Sequence, residues 1–158
     1  MRKTLIFITI IITGFMINLK AQDYQNALGL RAGLSTGITY KHFLSTTDAF
    51  EGILTTRWGG FNLTGLYERH GRAFDTDNLY YYYGGGAHIG AWSGRNNPWF
   101  NNTNTYTVIG IDGILGLEYV FEEIPFNISI DWKPGFNLIG YTGFWGDEVA
   151  LSFRYIFQ

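Results

Sequence analysis

Residues 147–157, which read Asp-Glu-Val-Ala-Leu-Ser-Phe-Arg-Tyr-Ile-Phe, decide the fold of this chain. Every second position from Val149 to Phe157 is apolar or aromatic, whereas the alternate positions include Glu148, Ser152 and Arg154. Successive side chains of a β-strand point to opposite faces, so this stretch predicts a strand with one apolar face and one polar face. The rest of the chain decides whether the apolar face meets a protein core or an apolar medium outside the protein.

Residues 1–21 have the features of a secretory signal peptide. Arg2 and Lys3 precede an uncharged and almost wholly apolar stretch at 5–19, and polarity returns at Lys20. About fifteen apolar residues fall short of the roughly 20 that a transmembrane helix needs, which favours an export signal over a membrane anchor. The sequence therefore predicts cleavage after Ala21 and a single mature domain at 22–158.

The composition of the mature chain excludes several classes of function. Cleavage removes three of the 11 basic residues and leaves all 13 acidic ones, which gives a formal charge of −5. A nucleic-acid partner would require a basic surface, so none is predicted. The chain has no cysteine and only three histidines, which are far apart in sequence, and it therefore predicts no disulfide, no metal site and no cofactor.

Alternation of apolar and polar residues recurs throughout the mature chain, and no helical periodicity is present. The alternating runs lie at about 27–35, 37–44, 49–58, 61–70, 79–92, 107–121, 126–138 and 147–157. Turn residues separate them: Gly59-Gly60 predicts a tight hairpin, and Pro134-Gly135 predicts a bend inside the seventh run. We interpret 141–146 as an aromatic loop. Eight strands of this length suit an antiparallel up-and-down barrel, and 9–11 tilted residues are about what a strand needs to cross a bilayer.

The placement of charge predicts which side of the barrel is inside. By parity, the polar faces of the strands collect five positive and six negative side chains: Arg31, Lys41, Arg57, Lys133, Arg154, Glu51, Glu68, Asp112, Glu118, Asp131 and Glu148. A soluble ligand-binding barrel would have small or apolar groups inside, whereas here the opposite face carries Leu, Ile, Tyr, Phe and Trp. We therefore expect a transmembrane barrel with a lumen charge network, in which buried charges pair.

These features resemble the small eight-stranded outer-membrane barrels of Gram-negative bacteria, the OmpA/OmpX-like class. The resemblance covers about 27–157 and rests on the signal peptide, the eight runs and the closing strand with Phe157. It implies a location in the outer membrane, contact with membrane lipid and lipopolysaccharide, and insertion by the barrel-assembly machinery. Aromatic residues near strand ends are similar to the girdles of such barrels: Tyr67, Tyr81, Tyr83, Tyr119, Phe121, Trp132, Tyr155 and Phe157. The sequence departs from the usual plan in its short connections near Thr36 and at Gly59-Gly60, and in its long connection at 71–78.

Function is less determined than fold. A structural or envelope role is the leading hypothesis, and recognition at the cell surface is an alternative, for which Arg95, Trp99 and Phe100 in the longest loop are the contact candidates. A narrow pore is a further alternative, although eight strands leave an interior just wide enough for side chains. A lipid hydrolase or acyltransferase would need a serine beside a histidine and a carboxylate, and no His-x-Ser pair occurs, so the sequence predicts no enzyme.

Overall fold

The computed structural model describes residues 24–74, 76–93 and 105–158. The regular structure in these ranges consists of ten β-strands: β1 Asn26–Gly33, β2 Thr36–Phe43, β3 Asp48–Arg57, β4 Gly60–Arg72, β5 Leu79–Ser93, β6 Thr105–Val120, β7 Phe126–Trp132, β8 Gly135–Ile139, β9 Gly143–Trp145 and β10 Val149–Phe157. No helix within these ranges is long and apolar enough to span a bilayer. The predicted signal peptide and the contact candidates Arg95, Trp99 and Phe100 lie outside the described residues.

The strands close into one barrel. Each strand pairs antiparallel with its neighbour from β1 to β6, the pairing continues through β7 to β10, and β10 pairs with β1. β7 and β8 together form the seventh strand of the barrel, and β9 and β10 form the eighth. The predicted eight-stranded antiparallel up-and-down architecture is therefore confirmed. Pairing of β10 with β1 closes the ring, whereas the short β9 pairs only with β8 among the described strands.

The seventh and eighth barrel strands are interrupted at the same height. β7 ends at Trp132 and β8 begins at Gly135, because Pro134 has no N–H to offer the ladder. Opposite this break, 146–148 separates β9 from β10, and the Lys133 N–H donates to the Glu148 carbonyl at 2.8 Å. The bend predicted at Pro134-Gly135 is present. The loop predicted at 141–146 is wrong, because Gly143–Trp145 pairs with β8 as a strand too short for alternation to reveal.

The two faces of the barrel differ sharply in polarity. Outward side chains are apolar and exposed, as for Leu30, which is 68% exposed, whereas the adjacent inward Arg31 is 0% exposed. Among the described strand residues, the outward face carries charge only at Asp48 and Arg69, which lie opposite each other at one end of the barrel. Acidic and basic side chains therefore line the interior, while apolar side chains cover the outside.

The barrel has two distinct ends. The terminus end contains residues 24–25, the connections 44–47, 73–74, 76–78 and 121–125, and Gln158, whereas the loop end contains the connections 34–35, 58–59 and 140–142. Apolar clusters fill the interior where charges do not. One cluster lies at the terminus end and comprises Tyr24, Ala27, Val120 and Ile156, and another consists of Ile53, Leu66, Tyr82 and Ile114.

Candidate functional site

The lumen is the candidate functional site because it gathers most of the ionisable side chains. Nine of the eleven predicted lumen charges are buried inside the barrel: Arg31, Lys41, Glu51, Glu68, Asp112, Glu118, Asp131, Lys133 and Arg154. The other two, Arg57 and Glu148, lie at the loop end, where their side chains are 17% and 15% exposed. The strands place these groups in three layers along the barrel axis.

The layer nearest the terminus end is the five-charge cluster, defined as Lys41, Glu51, Glu68, Glu118 and Arg154. The Lys41 Nζ lies 2.9 Å from Glu68 and 3.5 Å from both Glu51 and Glu118. The Arg154 guanidinium contacts Glu51 at 2.6 Å and Glu118 at 3.5 Å. Five different strands therefore meet at one point through their side chains.

Neutral groups add further hydrogen bonds to this cluster. The Tyr24 hydroxyl donates to Glu118 at 2.6 Å, and the Thr39 hydroxyl donates to Glu51. Arg154 donates to the Ser129 hydroxyl at 2.7 Å. Sequence parity places Thr39 and Ser129 on the inner face, but it gives no reason to single them out, since hydroxyl groups are common on polar strand faces.

The five-charge cluster contains one more carboxylate than it has cations. Two basic groups face three acidic ones, and His70 approaches Glu68 at 3.2 Å from the terminus side. Glu51 Oε2 and Glu68 Oε1 are buried, and the described residues provide neither with a hydrogen-bond donor of good geometry. Loss of either cation would therefore leave buried carboxylates facing one another, which is strongly unfavourable.

The middle layer is a single ion pair between the two strands that flank β10. Arg31 of β1 binds Asp131 of β7 through two parallel hydrogen bonds of 2.5 and 2.7 Å. The Tyr82 hydroxyl donates to the same carboxylate at 3.0 Å, and the Tyr82 ring lies under the Lys41 ammonium, 4.1 Å from its centroid. Tyr82 thus links the middle layer to the five-charge cluster.

The third layer lies toward the loop end and is centred on Asp112. This carboxylate contacts His88 Nδ1 at 2.6 Å and Lys133 Nζ at 3.1 Å. Lys133 also approaches Glu148 at 3.4 Å, and Glu148 accepts a hydrogen bond from Ser35 at 2.8 Å. On its far side, the His88 ring meets Asn137 at 2.8 Å.

The rim of the loop end is aromatic. Trp92 and Trp145 stack at 6.5 Å between ring centroids, and Trp58 lies 6.1 Å from Trp145. The Arg57 guanidinium lies 3.8 Å above the Trp58 ring and donates to Asp147 at 3.0 Å. This hydrogen bond holds the pKa of the Asp147 carboxyl below its usual value.

Two cavities lie at opposite ends of these layers. The loop-end cavity has a volume of about 50 Å³ and is bordered by His88, Trp92 and Asn137. The terminus-end cavity has a volume of about 260 Å³ and is bordered by Tyr24, His70 and Glu118. The middle ion pair and the five-charge cluster lie between them.

The histidines have no hydroxyl nucleophile among their described partners. His42 contacts Asn26, His70 contacts Glu68, and His88 contacts Asp112 and Asn137. The described ranges also contain no group of three or more His, Cys, Asp and Glu placed to hold a metal ion. Comparison with protein-family models, with curated proteins and with solved structures found no match.

Proposed function

We propose that this protein is an integral outer-membrane β-barrel that is exported, inserted into the bilayer and serves a structural or surface-interaction role. The observation that carries the proposal is the apolar belt, defined as the exposed outward residues of the strands. Its members include Leu30, Ile38, Leu54, Leu63, Ile89, Ile111, Leu115, Ile130, Leu151 and Phe153. Soluble monomers rarely expose contiguous apolar patches larger than a few hundred Å². A belt around an entire barrel is stable in contact with lipid chains.

Aromatic pairs around the terminus end support the same proposal. Tyr81 stacks with Tyr83, Tyr119 contacts Phe121, and Tyr155 stacks with Phe157. Tyr and Trp side chains favour the boundary between membrane and water because one part of the ring system is apolar and another forms hydrogen bonds. Aromatic pairs near the terminus end of three separate strands resemble a membrane girdle, and the charged Asp48 and Arg69 lie near the same end.

The filled lumen favours a structural role over that of a pore. Arg31 and Asp131 pair across the middle layer, and the five-charge cluster spans the lumen next to it. An eight-stranded barrel has an interior just wide enough for side chains to fill. The histidine contacts likewise give no support to a lipid-modifying enzyme. We therefore propose that this protein is a structural barrel of the membrane and that its loop end serves in recognition.

Fractionation of the expressing cell tests the proposal. The mature chain should require detergent for extraction from outer membranes, and it should migrate differently in a gel before and after boiling. Trypsin protection in proteoliposomes provides a control, since a folded barrel shields its strands. Recovery of the mature chain as a soluble periplasmic monomer without detergent would show that the apolar belt does not contact lipid.

A further inference from the structure

Three buried polar atoms at the loop-end cavity have no hydrogen-bond partner among the described residues. They are Asn62 Oδ1, Trp92 Nε1 and Asn137 Nδ2, and all three residues border the same cavity of about 50 Å³. Burying an unpaired polar group is unfavourable, so three at one place point to a group that supplies their hydrogen bonds. One of them is an indole N–H, which only donates.

Neither orientation of the Asn137 amide gives both of its polar atoms a hydrogen-bond partner. With its oxygen toward His88 Nε2, at 2.8 Å, the amide N–H₂ is left unpaired. If the amide is rotated so that nitrogen faces His88, the oxygen becomes the unpaired atom instead. The Asn62 amide is similar, since one end lies 3.4 Å from Thr64 and the other is unpaired. The cavity therefore presents both a donor and amide groups of either polarity.

The charged groups around this cavity already have partners. Lys133 contacts Asp112 and Glu148, and Arg57 contacts Asp147. What lacks a partner is neutral: one indole and two amides. A charged ligand would have to compete with existing ion pairs, whereas a hydroxyl group both donates and accepts and would satisfy a neutral donor and a neutral acceptor together.

The rim of the cavity supplies an apolar surface. The three rings of Trp58, Trp92 and Trp145 lie together there, with 6.1 and 6.5 Å between neighbouring centroids. Trp58 is held at a φ of 50°, a left-handed conformation that bulky residues rarely adopt. Strained positions of this kind cluster at binding sites, and the strain here keeps a large ring in a turn that Asn or Gly would occupy more easily.

We propose that the loop end binds a neutral hexopyranose, with one hydroxyl or hydroxymethyl arm in the cavity and the sugar ring against the tryptophans. A volume of about 50 Å³ accommodates one such arm, since about 10–15 Å³ on this measure is enough for a water molecule. The arm accepts a hydrogen bond from the Trp92 N–H and donates one to Asn62. The C–H face of the sugar packs against indole, which is the apolar surface that a pyranose requires. The inference adds a ligand to the proposed barrel, and the two can fail independently.

Titration of the folded full-length mature protein tests this site. The barrel is refolded in a detergent without a sugar head group, such as lauryldimethylamine oxide, because alkyl glycosides would occupy the site. Methyl β-glucoside, methyl β-galactoside and methyl α-mannoside are added separately while the indole ¹H–¹⁵N resonances are recorded. At least one glycoside should shift the Trp92 resonance saturably, with a Kd of about 1 mM. Cyclohexanemethanol, which has the ring and one hydroxymethyl arm but no other hydroxyl, should bind more weakly.

Two tryptophan variants locate the site. Trp92→Phe keeps an aromatic ring but removes the unpaired N–H, and it should weaken binding about five- to tenfold, as expected for one neutral hydrogen bond. Trp132→Phe is the matched control, because Trp132 faces outward and its N–H donates to the Gly146 carbonyl. If Trp92→Phe does not refold, Asn62→Ala takes its place and should weaken binding similarly.

Three results would overturn the inference. One is the absence of any saturable shift with all three glycosides, which would assign the cavity to water alone. Another is equal binding of cyclohexanemethanol and the glycosides, which would show an apolar site. The last is unchanged sugar affinity in Trp92→Phe or Asn62→Ala. Gel mobility before and after boiling, measured on the same samples, reports the barrel fold separately, so a failed titration leaves the membrane proposal standing.

Discussion

Arg154 shows how a single buried residue stabilises this barrel. Its guanidinium is 0% exposed and contacts two carboxylates and two hydroxyl groups from four other strands. Removing one partner of a buried ion pair costs about 3–5 kcal/mol, because the remaining charge has no compensation. We expect Arg154→Ala to lower the urea midpoint of unfolding in lipid vesicles markedly.

Leu151→Ala is the matched control on the same strand. Leu151 faces outward and is 53% exposed, so its truncation removes contact only with neighbouring side chains and, in the proposed bilayer, with lipid. Its effect on the urea midpoint should be clearly smaller than that of Arg154→Ala. Equal effects, or an unchanged midpoint in Arg154→Ala, would contradict a stabilising role for the five-charge cluster.

The five-charge cluster has one more carboxylate than cations, and this predicts which of two substitutions lowers stability more. Lys41→Met replaces a cation by an uncharged side chain of similar volume. Arg154 is then the remaining cation for three acidic groups, so the variant should be strongly destabilised. Glu68→Gln leaves two cations with two carboxylates and keeps a hydrogen-bonding side chain, so it should cost less than Lys41→Met. Paired unfolding curves in the same vesicles measure the difference, and a larger loss in Glu68→Gln would show that the charge count does not govern stability.

At the scale of elements, the hairpin between β3 and β4 combines tight geometry with an unfavourable residue. Trp58 and Gly59 have φ angles of 50° and 70°, as in the two-residue turns for which Asn-Gly is strongly preferred. Trp58→Asn should therefore stabilise the barrel by about 1 kcal/mol, because Asn adopts the left-handed region at a lower cost than Trp does. A raised unfolding midpoint measures this gain. Unchanged or lowered stability would indicate that the contacts of the indole ring outweigh the strain.

The strands and their faces could be predicted from the sequence because apolar and polar residues alternate along each strand. Parity placed Arg31 and Asp131 on inner faces, but it gives no height along the barrel axis, so their pairing over 100 positions was not predictable. The strand β9 was missed because three residues carry no usable alternation. The unpaired Asn62 and Trp92 atoms were also beyond the sequence, since a missing partner is a property of packing and not of residue type.

At the scale of the whole molecule, the polarity of the barrel is the reverse of that of a soluble protein. Most of the exposed strand residues are apolar, and most of the described ionisable residues lie within the barrel or at its ends. Such a distribution is what the proposed location in a bilayer requires, because apolar side chains on the outside are stabilised by contact with lipid chains. The same distribution fills the interior with ion pairs, and this determines whether the barrel conducts.

The native protein should show little or no steady conductance in a planar bilayer. The Arg31–Asp131 pair and the five-charge cluster occupy the lumen between the two cavities. These side chains belong to the barrel wall and are fixed by their contacts with one another. The double variant Arg31→Ala, Asp131→Ala removes both members of the middle pair without leaving an unpaired charge, and it creates space at the centre. It should conduct more than the native protein if it retains heat-modifiable mobility. Conduction by the native barrel as a stable open pore would show that the buried ion pairs do not close the lumen.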